Sequence, residues 1–123
     1  MFFRRKRRQV AEEVRARLGE SEILAIDESA NCFGVESAGA TQVRGNGCLA
    51  VTSDELLFIM WIPRKGISIP RPWITAVERA DSHLGKRIFR PLLLVRYTDD
   101  QSRADSVAWH VRDLPAWEAV LAS

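Results

Sequence analysis

The most concentrated chemistry in the chain stands at its start, Phe2-Phe3-Arg4-Arg5-Lys6-Arg7-Arg8, five consecutive cations behind two aromatic rings. Such a run attracts phosphates and carboxylates, and adjacent aromatics suit the boundary between lipid headgroups and acyl chains. The same charges would also neutralise nucleic-acid phosphates. Two smaller basic groups are candidate ligand loops: Arg64 with Lys65, and Lys86 with Arg87 and Arg90. Trp61 and Trp73 flank the proline-rich segment 63–72 and are the tryptophans expected nearest a ligand surface. A tryptophan there would stack on a base or a cation.

Catalysis finds no comparable pattern. A nucleophile needs Ser or Cys beside a base that a third group orients. His83 follows Asp81 and Ser82 in an expected surface loop, and His110 faces away from Trp109 on an expected last strand. Cys32 and Cys48 show none of the paired spacing of a zinc site and are expected as small buried hydrophobes. Asp99-Asp100 falls among polar residues and is expected to be solvated. No G-x-S-x-G, P-loop or dinucleotide fingerprint occurs. The expectation is a non-enzymatic chain with no catalytic residue, no metal and no cofactor.

Charge placement sharpens this reading. Within a formal net charge of +2, residues 1–20 hold seven Lys/Arg against three Glu, a local +4. The other 103 residues therefore carry a net −2. A body of that sign is a poor generic nucleic-acid binder, so affinity for polyanions is expected in the arm. Hydrophobic residues at 46% and charged residues at 28% exclude wholesale disorder, and 123 residues suffice for one core. No apolar run approaches a membrane span, and no apolar stretch follows the charged start as in a secretory signal. A cytoplasmic protein, peripheral at the inner face of the membrane, is the expectation.

These residues must be positioned by elements that the sequence pattern outlines. Val10, Val14 and Leu18 repeat at helical spacing, and Gly19 is a suitable C-terminal cap. An ordered helix is expected from about Arg8, with the cations frayed ahead of it. A strand is expected over 22–27; the less legible residues 29–46 read as a long bent strand, then a loop ending in a Gly45-Asn46-Gly47 turn. Two strands should meet at a Ser53-Asp54 turn, and Pro63-Arg64-Lys65-Gly66 fits a type I turn. Further strands are expected around Ile67–Ile69, Trp73–Arg79, Leu92–Tyr97 and Val107–Val111. A final helix should start at Asp113, a good N-cap, with Leu114, Trp117, Val120 and Leu121 on one face.

The chain resembles the pleckstrin-homology-like superfold in its small bacterial or GRAM-type form. The resemblance rests on Gly45-Asn-Gly-Cys-Leu-Ala-Val-Thr52, Glu55-Leu-Leu-Phe58, Ile67-Ser-Ile-Pro70, Trp73-Ile-Thr-Ala-Val77, Leu92-Leu-Leu-Val95 and Asp105 to Leu121. It implies a mainly β (α+β) barrel of about seven antiparallel strands in two near-orthogonal sheets, capped by the C-terminal amphipathic helix. Residues 21–123 would form that domain, and residues 1–20 a basic arm and amphipathic helix outside the resemblance. The superfold hosts lipid, peptide and protein binding. Phosphoinositide-binding members carry basic residues along the first two strands. Glu22, Asp27, Glu28 and Glu36 stand in that region here, with Arg44 the one cation before Gly45. The expected function is a binding or adaptor module for a protein partner or an anionic membrane surface. Its alternative is a nucleic-acid-associated protein held through the arm.

Overall fold

The computed structural model describes residues 2–38, 45–85 and 90–123, and of Phe2 the backbone alone. The chain runs α1 (Phe2–Leu18), β1 (Ala25–Val35), β2 (Gly45–Val51), β3 (Glu55–Met60), β4 (Gly66–Pro70), β5 (Ile74–Ala80), β6 (Leu92–Thr98), β7 (Ala104–His110) and α2 (Leu114–Ala122). It is mainly β, with seven antiparallel strands in the order β4-β3-β2-β1-β7-β6-β5 and a helix at each end.

Two expectations about the sheet need correction. The strands form one continuous sheet instead of two, and that sheet is not closed into a barrel. The continuity comes from β1, which is eleven residues long. Its register shifts between Asp27 and Ala30, and again between Cys32 and Gly34. Extra residues of this kind bend a strand and increase its twist. Ala25 to Cys32 pair with β2, whereas Asn31 to Val35 pair with β7, so one strand joins both halves. The two edges are β4 and β5, linked by the short 3-10 turn Arg71–Trp73. Pro70 and Pro72 lack the N–H that a ladder would need there.

Burial divides into three layers. The main core lies inside the curl, where Leu49, Val51, Leu56, Phe58 and Ile69 meet Leu93, Val95, Val107 and Trp109. Leu114 and Trp117 of α2 close this core. On the outer face of β2 and β3, α1 sets Val10, Ala11, Val14 and Leu18 against Cys48, Ala50, Leu57 and Ile59. Both faces of β2 and β3 are therefore covered, which is why their sequence is continuously apolar instead of alternating. A third cluster, Phe33, Leu92, Leu94 and Ala108, lies on the outer face of β1, β6 and β7.

Local signals explain the ends of several elements. Gly19, at φ +62°, terminates α1 in the left-handed conformation that glycine tolerates best, and its N–H donates to the Arg15 carbonyl at 3.0 Å. The Ser53-Asp54 turn forms as expected: Thr52 Oγ1 accepts from the N–H groups of Asp54 and Glu55 at 3.1 and 3.2 Å. Asp113 caps α2 by accepting from the Ala116 N–H at 3.2 Å.

Other boundaries differ from expectation. The first strand is Ala25–Val35 instead of 22–27. Gly45-Asn46-Gly47 opens β2 and is not a turn. A Cβ on Gly47 would fall on the Ile59 carbonyl oxygen and within 2.5 Å of the Phe58 ring. These glycines serve close approach of the neighbouring strand. The β3–β4 connection is wider than a type I turn: Ile59 pairs with Gly66, and the Met60 N–H donates to the Lys65 carbonyl at 2.7 Å.

Candidate anion-binding groove along the first helix

The basic segment is part of a regular helix. α1 begins at Phe2, not near Arg8, so the frayed-arm expectation is corrected. Its anchored half, Val10 to Leu18, serves as a nucleus, and each residue added ahead of it gains one hydrogen bond. Arginine, lysine and glutamine are good helix formers. Ion pairs of both polarities also tie the anchored half of the helix to the body. Glu28 pairs with Arg15 at 3.5 Å, and Arg64 of the β3–β4 loop forms an ion pair with Glu13.

Phe3, Arg7, Val10, Val14 and Leu18 follow one another at three- or four-residue spacing, a single stripe. Val10 and Val14 are fully buried on that stripe, yet Phe3 is 59% exposed. The first two turns thus extend past the apolar patch that holds the rest of the helix. Arg4, Arg5 and Arg8 are exposed there, and Lys6 and Arg7 are half-buried.

Two adjoining hollows run beside this segment. The first, about 320 Å³, lies between α1, β1 and the start of α2 and is lined by Arg7, Asp27, Glu28, Arg112, Asp113 and Trp117. The second, about 290 Å³, is lined by Arg4, Arg7, Arg8, Glu12, Arg15 and Glu28. Arg7 and Glu28 border both. Asp27 sits at the register shift of β1. Its Oδ1 accepts from the Ser29 N–H at 2.9 Å and its Oδ2 from the Arg112 N–H at 2.7 Å. The side chain is nearly sequestered, at 6% exposure.

Among the described residues, the other candidates do not converge on one surface. Arg64 is committed to Glu13, while Lys65 borders a separate apolar hollow of about 210 Å³ with Cys32, Phe58 and Met60. Arg90 is exposed. Lys86, Arg87 and Arg44 lie outside the described residues. Trp61 packs against the α1 layer and Trp73 against the main core, so the two half-buried indoles do not share a site. Trp109 and Trp117 are core residues, as expected.

His83 is buried, against the expected surface loop, and its Nε2–H donates to the Gly34 carbonyl at 2.9 Å. The ring is held where residues 81–85 pass β1. His110 is half-buried and pairs across the sheet with Asn31. Cys32 and Cys48 are both buried. Burial pushes the Cys48 thiol up to about 12, and the nearby Glu28 carboxylate adds to the shift. A thiol so protonated is a poor nucleophile at neutral pH. Among the described residues no three His, Cys, Asp or Glu side chains group as metal ligands.

Three positions escaped the sequence pattern. Arg112 and Asp27 meet only because the first and last strands are neighbours. Arg71 reaches the end of α2, where its guanidinium donates to the carbonyls of Val120 and Ser123 at 3.0 and 3.1 Å and to that of Thr52 at 3.2 Å. The one sequence signal for this pocket is the Arg112-Asp113 pair before the helix, legible as a cap but not as a lining.

No described helix is long and apolar enough to cross a membrane. No protein-family model and no curated protein matches the chain.

Proposed function

We propose that this chain is a non-catalytic binding module that attaches to an anionic membrane surface through the first two turns of α1. The observation carrying the reading is the exposed Phe3 among Arg4, Arg5 and Arg8, on turns that extend past the packed part of the helix. Such turns can lie along an interface, with the ring among acyl chains and the guanidiniums at headgroup phosphates. Each cation near an anionic surface contributes about 1 kcal/mol, and a buried phenylalanine about 1.5–3 kcal/mol before ordering costs. The result is reversible attachment at the cytoplasmic face, which leaves the sheet free to carry a protein partner.

The strand order, with β1 shared between two halves and α2 closing the core, supports kinship with the pleckstrin-homology-like superfold in an open, curled form. On that reading α1 is an addition that brings the basic site to a scaffold whose own strands lack one.

Vesicle cosedimentation tests the proposal. The full chain should bind vesicles containing phosphatidylglycerol and lose affinity with added salt. Phe3→Ser should weaken that binding severalfold while leaving any DNA affinity unchanged. Equal losses on vesicles and DNA, or binding to DNA alone with a log–log salt slope of about −4.5 for five phosphates, would favour the nucleic-acid alternative.

A further inference from the structure

The two hollows beside α1 differ in charge. The second is bordered by four guanidiniums, Arg4, Arg7, Arg8 and Arg15, against Glu12 and Glu28. Arg15 and Glu28 pair with each other, but Arg4, Arg7 and Arg8 make no ion pair among the described residues. The first hollow is richer in acid: with Glu28 assigned to Arg15, Asp27 and Asp113 balance Arg7 and Arg112. Asp27 is the critical group. At 6% exposure it is almost removed from water, and both its oxygens accept backbone N–H groups. Yet no cation pairs with it among the described residues. Buried carboxylates ordinarily have a countercharge. Arg7, which makes no ion pair among the described residues, thus borders both the arginine-rich hollow and the hollow of a buried carboxylate that makes none there.

From this juxtaposition we infer that the groove binds a compact zwitterion, a phosphate joined by a short spacer to an ammonium, the chemistry of phosphoethanolamine. The phosphate sits in the second hollow, where Arg4, Arg7 and Arg8 offer the forked donors that phosphate oxygens match. The ammonium sits in the first, donating toward Asp27 with Asp113 and Glu28 nearby. The hollows adjoin at Arg7 and Glu28, which calls for a short spacer between the two charges. Each hollow is near the lower end of small-molecule site volumes, about 300 Å³, so the pair accommodates a small headgroup. This goes beyond surface attachment, which needs negative charge alone and no ammonium. The same group occurs on phosphatidylethanolamine and as the free phosphoester.

Titration of the full chain with O-phosphoethanolamine, glycerol 3-phosphate and ethanolamine, followed by amide chemical shifts, tests the inference. Phosphoethanolamine should bind about tenfold more tightly than either half-ligand, with shifts at Asp27, Arg112 and the first turns of α1. Glycerol 3-phosphate binding equally well would overturn it. Asp113→Asn preserves the helix cap and should reduce the preference for phosphoethanolamine over glycerol 3-phosphate, leaving the thermal midpoint within a few degrees. Asp27→Asn should abolish that preference if the variant folds. An unchanged preference in Asp113→Asn together with a folded Asp27→Asn, or in Asp113→Asn together with Glu28→Gln should Asp27→Asn not fold, would also overturn the inference. Vesicles distinguish the sources: a gain on replacing phosphatidylcholine by phosphatidylethanolamine identifies the lipid, and its absence the soluble ester. Binding to phosphatidylglycerol vesicles without preference for phosphoethanolamine would sink this inference and leave surface attachment standing. The reverse result would sink surface attachment and leave the site.

Discussion

Phe58 on β3 and Trp109 on β7 place their ring centroids 5.7 Å apart at an interplanar angle of 59°. Along the ladder the two strands are separated by β2 and β1, three spacings or about 14 Å on a flat sheet. Contact between the rings therefore measures how far the sheet curls at β1. Both side chains are essentially inaccessible, and Leu114 and Trp117 belong to the same cluster. Trp109→Ala should cost about 3–5 kcal/mol, and Trp117→Ala a similar amount because α2 closes this core. Urea denaturation midpoints check both. An unshifted midpoint for Trp117→Ala would make α2 an appendage.

The end of α2 is held by charge as well as by packing. Arg71 donates to the Ser123 carbonyl and adds a charged donor at the Val120 carbonyl, which also accepts from the Ser123 N–H and hydroxyl, at the negative end of the helix dipole. Arg71→Ala should destabilise the protein by about 1–2 kcal/mol, with Arg71→Lys recovering only part. The loss should be local: amide exchange in the last turn of α2 accelerates more than exchange in β2. Uniform acceleration would show instead that Arg71 supports the whole fold.

Glycines at two positions should respond differently to alanine. At Gly47 the new methyl meets backbone and an aromatic ring, so β2 and β3 must separate. About 1–3 kcal/mol of destabilisation is expected, as for overpacking in general. At Gly19 there is open space, but φ +62° disfavours a side chain and costs about 1–2 kcal/mol. A second substitution separates the mechanisms. Gly19→Asn should be milder than Gly19→Ala, whereas Gly47→Asn should be worse than Gly47→Ala. Thermal melts of the four variants give the ranking.

Alkaline pH should loosen the α1 interface. The folded protein holds the Cys48 proton up to about 12, against an ordinary value of 9.0 for the unfolded chain. The unfolded state thus releases the proton first. Stability from this group is full below pH 9 and declines as pH rises toward the folded value, by about 1.4 kcal/mol per pH unit. Tyr97 adds to the decline at higher pH. Burial, and then the Asp105 carboxylate to which its hydroxyl donates at 3.3 Å, raise it above its ordinary 10.0. Cys48→Ala should start less stable than the parent at pH 7.5, with the gap narrowing by about 1 kcal/mol near pH 10. Parallel stability curves for the two proteins would refute this assignment.

Much of the scaffold was legible in the sequence because its signals are local. The Val10-Val14-Leu18 repeat, the Ser53-Asp54 turn, the Asp113 cap and the alternation of Val107, Trp109 and Val111 each act within one or two turns or strand repeats. Physical rules of that range hold whatever the rest of the chain does. The reach of α1 to Phe2 was not legible, since the helix propagates forward from a half anchored by packing on β2 and β3. Nor was the role of Gly45 and Gly47, which depends on what crosses them. A long bent strand was legible, but the bounds and pairing of β1 were hidden for the same reason: its two halves pair with strands distant in sequence, and its register shifts leave no periodic trace. Asp27 and Arg112 are 85 residues apart, and no spacing rule connects them. The tertiary structure alone brings a carboxylate sequestered by the bent strand beside the arginines of a helix docked outside it. Sequence determined which groups could bind an anion; the bend in β1 and the docking of α1 decided which of them share a groove.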